Sequence, residues 1–174
     1  MIREAGQKEA FERTTAAASV AQFRVAEESD IPGMTTVRLA VRENRLSDPA
    51  WLTRQMWLDG LEKSGNACTW VCEVDDRIVG FSSGRIREKD IWALFVDPQF
   101  EGQGIGSRLL DLAVDWMAGK GVGIIELSTA DRSRADLFYQ RKGWKRGELN
   151  AKNEVVYQWC GTPGHESGID QRKS

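Results

Sequence analysis

Histidine occurs once in the 174 residues, as His165 in the C-terminal run GTPGHESGIDQRKS. A metal centre with more than one imidazole ligand is excluded by that count, and because the lone imidazole lies in the C-terminal tail no histidine-based triad or dyad is expected. Cysteine is nearly as scarce. Cys68, Cys72 and Cys160 form an odd set with no C-x-x-C pair, so neither a disulfide framework nor a cysteine zinc site is expected, and no metal is assigned. Cys68 and Cys72 stand four apart in CTWVCEV, a strand-like run whose even spacing puts both on one face, where a thiol serves as a small hydrophobe. Nowhere do the ~18 consecutive apolar residues of a membrane span occur, and the start MIREAGQKEAFERTTAAASVAQ has no apolar signal core. The expectation is a cytoplasmic protein with no membrane partner. An excess of positive charge is missing too: 24 Lys and Arg against 26 Asp and Glu leave a net charge of −2. No basic field is available to hold a nucleic acid.

What remains is enough for one folded domain. Hydrophobic residues make up 41% and charged residues 29%, the composition of a globular protein with a true core. Residues 1–21 are polar and Ala-rich and residues 161–174 are Gly-, Pro- and charge-rich, so both read as loosely attached ends around a single domain over 22–160. Within it, Phe23 to Ala26 reads as a strand, and Ser29-Asp30-Ile31-Pro32 opens a helix with Met34, Val37 and Val41 on its buried face. Trp51, Leu52, Met56, Leu58 and Leu61 suggest a second helix. Three β-rich runs follow, Thr69 to Val74, Arg77 to Ile86 and Ile91 to Val96, joined by short polar turns as in an antiparallel meander. A long helix comes next, with Ile105, Leu109, Leu112, Ala113 and Trp116 facing the core. The chain closes with a strand at Ile124 to Thr129, a helix at Arg132 to Arg141, and a hairpin of Trp144 to Glu148 with Glu154 to Trp159. The fold class is therefore mixed α+β, in the order β-αα-βββ-α-β-α-ββ, with a mostly antiparallel sheet flanked by helices.

The most informative stretch is VDPQFEGQGIGSRLL, Val96 to Leu110. A strand ends, a loop follows, and Gly102, Gly104 and Gly106 lead straight into an amphipathic helix. Glycine lets backbone approach a ligand closely, and the first amides of a helix are unsatisfied donors at the positive end of its dipole. Such a turn suits a phosphate or pyrophosphate. It is no P-loop, because no Lys follows the last glycine. A dinucleotide-binding turn is a further alternative, weakened by Ser107 at the third glycine position and by the insert Asp97 to Glu101, although Glu126 ends the next strand where a ribose-binding acid would sit. That reading predicts affinity for NAD.

V-D-P-x-F-x-G-x-G-I-G-S-x-L-L resembles the acyl-CoA pyrophosphate loop of the GNAT superfamily of N-acetyltransferases. A second segment agrees: ADLFYQRKGW, Ala135 to Trp144, is similar to the A-x-x-F-Y-x-x-x-G-F stretch of that superfamily, at the matching place on the helix after the next strand. The resemblance covers roughly residues 23–159 and implies acetyl-CoA as co-substrate. By it, the amides of Gly102, Gln103, Gly104, Ile105, Gly106 and Ser107 would hold the pyrophosphate. The backbone of Leu94, Phe95 and Val96 would pair with the pantetheine arm like an added strand. One amide near Phe95 or Val96 would polarise the thioester carbonyl.

The same resemblance makes Tyr139 the general acid for the departing thiolate, a role for which a phenol that is neutral at pH 7 is suited. The base is Asp90 or Glu126. Two departures stand out: Glu101 replaces the usual Gln or Arg and places a carboxylate beside the pyrophosphate, and Arg132 stands where many relatives have Asn, from which it could meet a CoA phosphate. The first two helices usually wall the acceptor pocket in such enzymes. Here that wall runs from Arg38 to Ser47 and includes the helix around Trp51, Arg54 and Trp57; within it Arg42, Glu43, Asn44 and Arg45 cluster at the end of the first helix, where the arginines would favour a carboxylate and Glu43 an ammonium. The implied activity is transfer of an acetyl group to a primary amine of a small molecule, amino acid or peptide by direct attack in a ternary complex. A non-catalytic module that senses acyl-CoA is the alternative. Members of the superfamily are often dimers, so a homodimer is one expected state.

Overall fold

The computed structural model describes residues 20–43 and 45–161. The loosely attached ends over 1–21 and 161–174 therefore fall, except for 20, 21 and 161, outside the described residues, as do Asn44 and His165. Eleven elements follow in the expected order: β1 (Gln22–Val25), α1 (Ile31–Ala40), α2 (Arg54–Asp59), β2 (Ala67–Val74), β3 (Arg77–Arg85), β4 (Asp90–Val96), α3 (Ile105–Gly119), β5 (Ile124–Ala130), α4 (Arg134–Arg141), β6 (Lys145–Leu149) and β7 (Glu154–Cys160). All strands join one seven-stranded sheet in the order β1-β2-β3-β4-β5-β7-β6. Every pairing is antiparallel except that of β4 with β5.

The strands bury both faces because alternate residues serve two separate layers. On one face Cys68, Trp70, Cys72 and Val74 of β2 meet Ile105, Leu109, Leu110, Ala113, Val114 and Met117 of α3, together with Tyr139 of α4 and Tyr157 of β7. On the other, Val71, Phe81 and Ala93 meet Met34 and Val37 of α1 and Trp57 of α2. Gly84 lets α3 lie close to β3: a Cβ there would come within 2.7 Å of the Met117 sulfur. Thr69 is buried yet satisfied, its hydroxyl meeting the Gly60 carbonyl at 2.7 Å and the Ser83 hydroxyl at 2.8 Å.

Four expectations shift. The run from Trp51 to Leu61 is not one helix: a 3-10 turn covers Pro49–Trp51, and α2 has only six residues. Thr53 accepts the Met56 amide at 3.1 Å and so starts the helix anew, leaving Trp51 73% exposed outside it. Likewise α1 stops at Ala40, so Val41, extended, is no part of its buried face. Arg132 also lies outside its helix, because its backbone is left-handed (φ 57°) and Ser133 caps α4 by accepting the Asp136 amide at 3.1 Å. On α3 the core-facing set is rotated slightly, with Leu110, Val114 and Met117 fully inside and Leu112 and Trp116 at the margin.

Candidate functional site

The parallel neighbours β4 and β5 pair at one position only, Asp90 opposite Glu126, with the Glu126 amide on the Lys89 carbonyl at 2.9 Å. Beyond that point they diverge, and the sheet opens along β4. The antiparallel ladder to β3 decides which groups face this opening. The Asp97 amide bonds the Val79 carbonyl at 2.8 Å, and Phe95 lies opposite Phe81, so by alternation both residues spend their main-chain groups on β3. Leu94 and Val96 point theirs the other way. Of the three residues expected to pair with an extended ligand, Leu94 and Val96 have the geometry and Phe95 does not, so of the two amides expected near the thioester carbonyl that of Phe95 is spent on β3 and that of Val96 is not.

At the far end of β4, Asp97 fixes the turn: it accepts the Gln99 amide at 2.9 Å and pairs with Arg77. A 3-10 turn over Pro98–Phe100 then delivers the glycines. Gly102 (φ 75°) and Gly104 (φ 81°) occupy left-handed backbone that favours glycine, and no atom lies within 4 Å of where their Cβ atoms would be. Their requirement is conformational, and the space above them is open. Gly104 caps α3 without a side chain, and the first amide to find a partner is that of Arg108, on the Gly104 carbonyl at 3.1 Å. The amides of Ile105, Gly106 and Ser107 therefore project from a 15-residue helix as unsatisfied donors at its positive end. The strap from Gly102 to Ser107 therefore presents open donors beside a free strand edge, a geometry suited to an anion.

The two departures resolve differently. The Glu101 carboxylate turns to the Arg134 guanidinium, 2.6 Å away, rather than lying unpaired beside the cradle. Arg132 is 92% exposed at its side chain and pairs with Asp131 at 3.5 Å. The arginine that reaches the glycine loop is thus Arg134, at the first position of α4, which sequence reasoning missed; its signal was a basic residue just before the Ala135 motif. Glu43 also ends at α4, accepting the Arg134 amide at 3.1 Å, so it caps that helix instead of waiting for an ammonium. Arg42 and Arg45 are exposed, and Asn44 is outside the described residues. Trp57 is 3% exposed, part of the core rather than of an open wall.

Tyr139 stands on the α3/α4 side of the sheet, its ring 5.2 Å from Phe138, 5.9 Å from Trp144 and 5.5 Å from Tyr157. Burial raises its pKa above the usual phenol value, so it stays a protonated donor. Its hydroxyl has no hydrogen-bond partner among the described residues, and it is not one of the sealed orphan atoms. Tyr157, in contrast, is committed to Asp136, whose carboxyl is held down to about 2, first by that hydroxyl and then by the Arg132 amide, Arg146 and Gln140. The candidate bases lie on the other face. Asp90 is gripped by Arg85 through Nε at 2.8 Å and Nη2 at 2.5 Å, whereas Glu126 accepts only the Gln158 amide at 2.7 Å. A surface hollow of about 570 Å³ between Asp131, Arg132, Asp136 and Arg146 is crossed by ion pairs and lies apart from the β4/β5 opening.

A splayed, mostly antiparallel sheet whose free edge ends at a glycine turn and a helix N-terminus defines an α+β protein with room for one extended ligand that carries an anionic end. It also removes the dinucleotide reading, which needs a continuous parallel sheet running directly into the turn. Residues 34–144 match the Acetyltransferase (GNAT) family, and the chain belongs to it. An uncharacterized N-acetyltransferase of Methanocaldococcus jannaschii is 33% identical over 113 residues, 59% of this chain and 46% of that protein, so the chain spans about half the length of that relative. A second uncharacterized N-acetyltransferase, from Archaeoglobus fulgidus, is 28% identical over 144 residues, 73% of this chain and 95% of its own length. In fold, the chain is similar to the PaiA N-acetyltransferase of Thermoplasma acidophilum, a structure in complex with coenzyme A: TM-score 0.72 at 17% identity, over 82% of this chain and 99% of that one.

Proposed function

We propose that this protein is an N-acetyltransferase that moves the acetyl group of acetyl-CoA to a primary amine of a small molecule, amino acid or peptide by direct attack in a ternary complex. The observation that carries the reading is the continuity of the free Leu94 and Val96 edge with the open Gly102–Ser107 cradle, which fits one extended ligand with an anionic end. Acetyl-CoA, as co-substrate, supplies an activated thioester. The Gly102–Ser107 amides hold its pyrophosphate, the backbone of Leu94 and Val96 holds its arm, and the amide of Val96 donates to the thioester oxygen as negative charge develops.

A neutral amine nitrogen bonds to the carbonyl carbon, the carbon–sulfur bond breaks, and Tyr139 gives its proton to the departing thiolate. The amine sheds a proton to a carboxylate, directly or through water. Glu126 suits this better than Asp90, whose two oxygens are already held by Arg85. Neither Cys68 nor Cys72 suits a covalent acyl-enzyme: both are buried, and burial pushes the Cys72 thiol up to about 11, away from the reactive thiolate. Arg134, set against Glu101, is the side chain placed to exchange its carboxylate for a cofactor phosphate.

The commitment of Asp90 to Arg85 also favours a second reading, an acyl-CoA sensor without turnover. Calorimetry with acetyl-CoA followed by initial rates over both substrates separates the two. Micromolar binding with intersecting double-reciprocal lines supports the enzyme. Binding without thiol release across the amine panel favours the sensor, and no binding rejects both.

A further inference from the structure

Among the described residues, two buried side-chain donors have no acceptor: Nη1 of Arg38 and Nε1 of Trp57. Both belong to the α1/α2 face, and one aromatic stack joins them. The Arg38 guanidinium carbon sits 4.5 Å over the Phe95 ring, Phe95 is 5.5 Å from Phe81, and Phe81 is 5.4 Å from Trp57. Arg38 is 7% exposed and Trp57 is 3% exposed.

A guanidinium that far inside a protein normally has a carboxylate against it, because it cannot shed its proton and its desolvation is costly. Among the described residues no carboxylate is paired with it; burial alone acts on its ionisation, against the charged form. The stack under it compensates only in part, since a cation–π contact is weaker than the desolvation it offsets. What the pair lacks is oxygen. Both groups are donors only, so whatever completes them must bring acceptor atoms.

The location says what that partner is. Phe95 lies between Leu94 and Val96, whose backbone lines the opening, and its ring faces away from the sheet side that carries Tyr139. An amine attacking a thioester held along β4 with the acid on one face approaches from the other. We propose that Arg38 is a specificity-determining residue of the acceptor subsite, and that it binds the carboxylate of an amino-acid-type amine. A fork of N–H groups matches two carboxylate oxygens, and its charge disfavours polyamines and other purely cationic acceptors. This assignment rests on the acetyltransferase reading above and moves acceptor recognition from the exposed Arg42 and Arg45 to the buried Arg38.

The test compares the common L-amino acids with their amides as acceptors, for the parent protein and for Arg38→Met and Arg38→Lys. The acids should exceed the amides at least tenfold in kcat/KM. Arg38→Met, which keeps the packing on Phe95, should lower the rate with acids about 10- to 100-fold through KM, leave the amides and the KM for acetyl-CoA within twofold, and raise or preserve Tm; Arg38→Lys should recover only part. A merely structural arginine would instead lower Tm and all rates together, which overturns the proposal, as do equal rates for acids and amides. Titration of N-acetyl amino acids and their amides by tryptophan fluorescence reads the same preference without turnover. Carboxylate-selective binding lost in Arg38→Met upholds the site even if acetyl transfer fails. No selectivity, as when ordered water alone satisfies the two donors, refutes it.

Discussion

Gly104 offers a perturbation whose effects on folding and on binding separate cleanly. Replacing it with Ala puts a Cβ on left-handed backbone (φ 81°), which costs about 1–2 kcal/mol, but the new methyl meets no protein atom within 4 Å. For a domain of this size that strain lowers Tm by roughly 2–8 °C. Binding should suffer more. The methyl enters the open side of the cradle, and relaxing the strain swings the amides at the start of α3; losing one hydrogen bond to a charged phosphate costs about 1.5–3 kcal/mol, or about 10- to 100-fold in Kd. Gly121 provides the matched control: its φ is 86°, its Cβ position is equally empty, and it lies past the C-terminal end of α3, about 20 Å from the cradle. Gly121→Ala should match Gly104→Ala in thermal shift while binding acetyl-CoA like the parent. Calorimetry with acetyl-CoA on the three proteins checks this, and an unchanged Kd for Gly104→Ala would refute the cradle.

Three further outcomes are expected. Glu101→Gln removes the carboxylate beside the cradle and frees Arg134 from an exposed pair, so acetyl-CoA should bind a few-fold tighter with Tm nearly unchanged; weaker binding would contradict the exchange assigned to Arg134. Tyr139→Phe keeps the ring stack and loses a hydroxyl without a protein partner, so kcat should fall at least tenfold with the acetyl-CoA Kd and Tm preserved; full activity would remove Tyr139 as the acid. Asp136 is held down to about 2 by Tyr157, so the stability it contributes is complete above its unfolded pKa near ~4 and is lost as pH falls toward 2. Acid titration of Asp136→Asn by circular dichroism should show that pH dependence flattened below pH 4, and an unaltered acid transition would show that the carboxyl is not depressed.

The order of elements, the glycine turn and its helix were legible because each depends on local chemistry: β-branched runs, a left-handed pair of glycines, an amphipathic period. The acceptor side was less so. Whether Trp51 and Trp57 share a helix turned on one hydroxyl, that of Thr53, which restarts α2 and sends Trp57 inward and Trp51 out. Arg38 fell at the start of the expected acceptor wall, but nothing in the sequence set it apart from Arg42 and Arg45. Its burial without a partner is a property of packing between α1 and β4, which no spacing rule contains. The same holds for Glu101, whose effect depended on an arginine 33 positions later (134 − 101) that comes within 2.6 Å only when α4 closes over the loop. Phe95 was drawn into the site by its neighbours, and only the ladder register, Phe95 against Phe81, assigns its backbone to β3.

Direct acyl transfer is the central claim, and product analysis meets it most squarely. The protein would be incubated with acetyl-CoA and a panel of amino acids, peptides and other primary amines, with free thiol and N-acetylated product quantified together by mass spectrometry. N-acetyl product and free CoA are expected in equal amounts for at least one amine, both abolished by omitting the amine and sharply reduced in Tyr139→Phe. Acetyl-CoA that binds yet returns intact from every amine in the panel would contradict that claim.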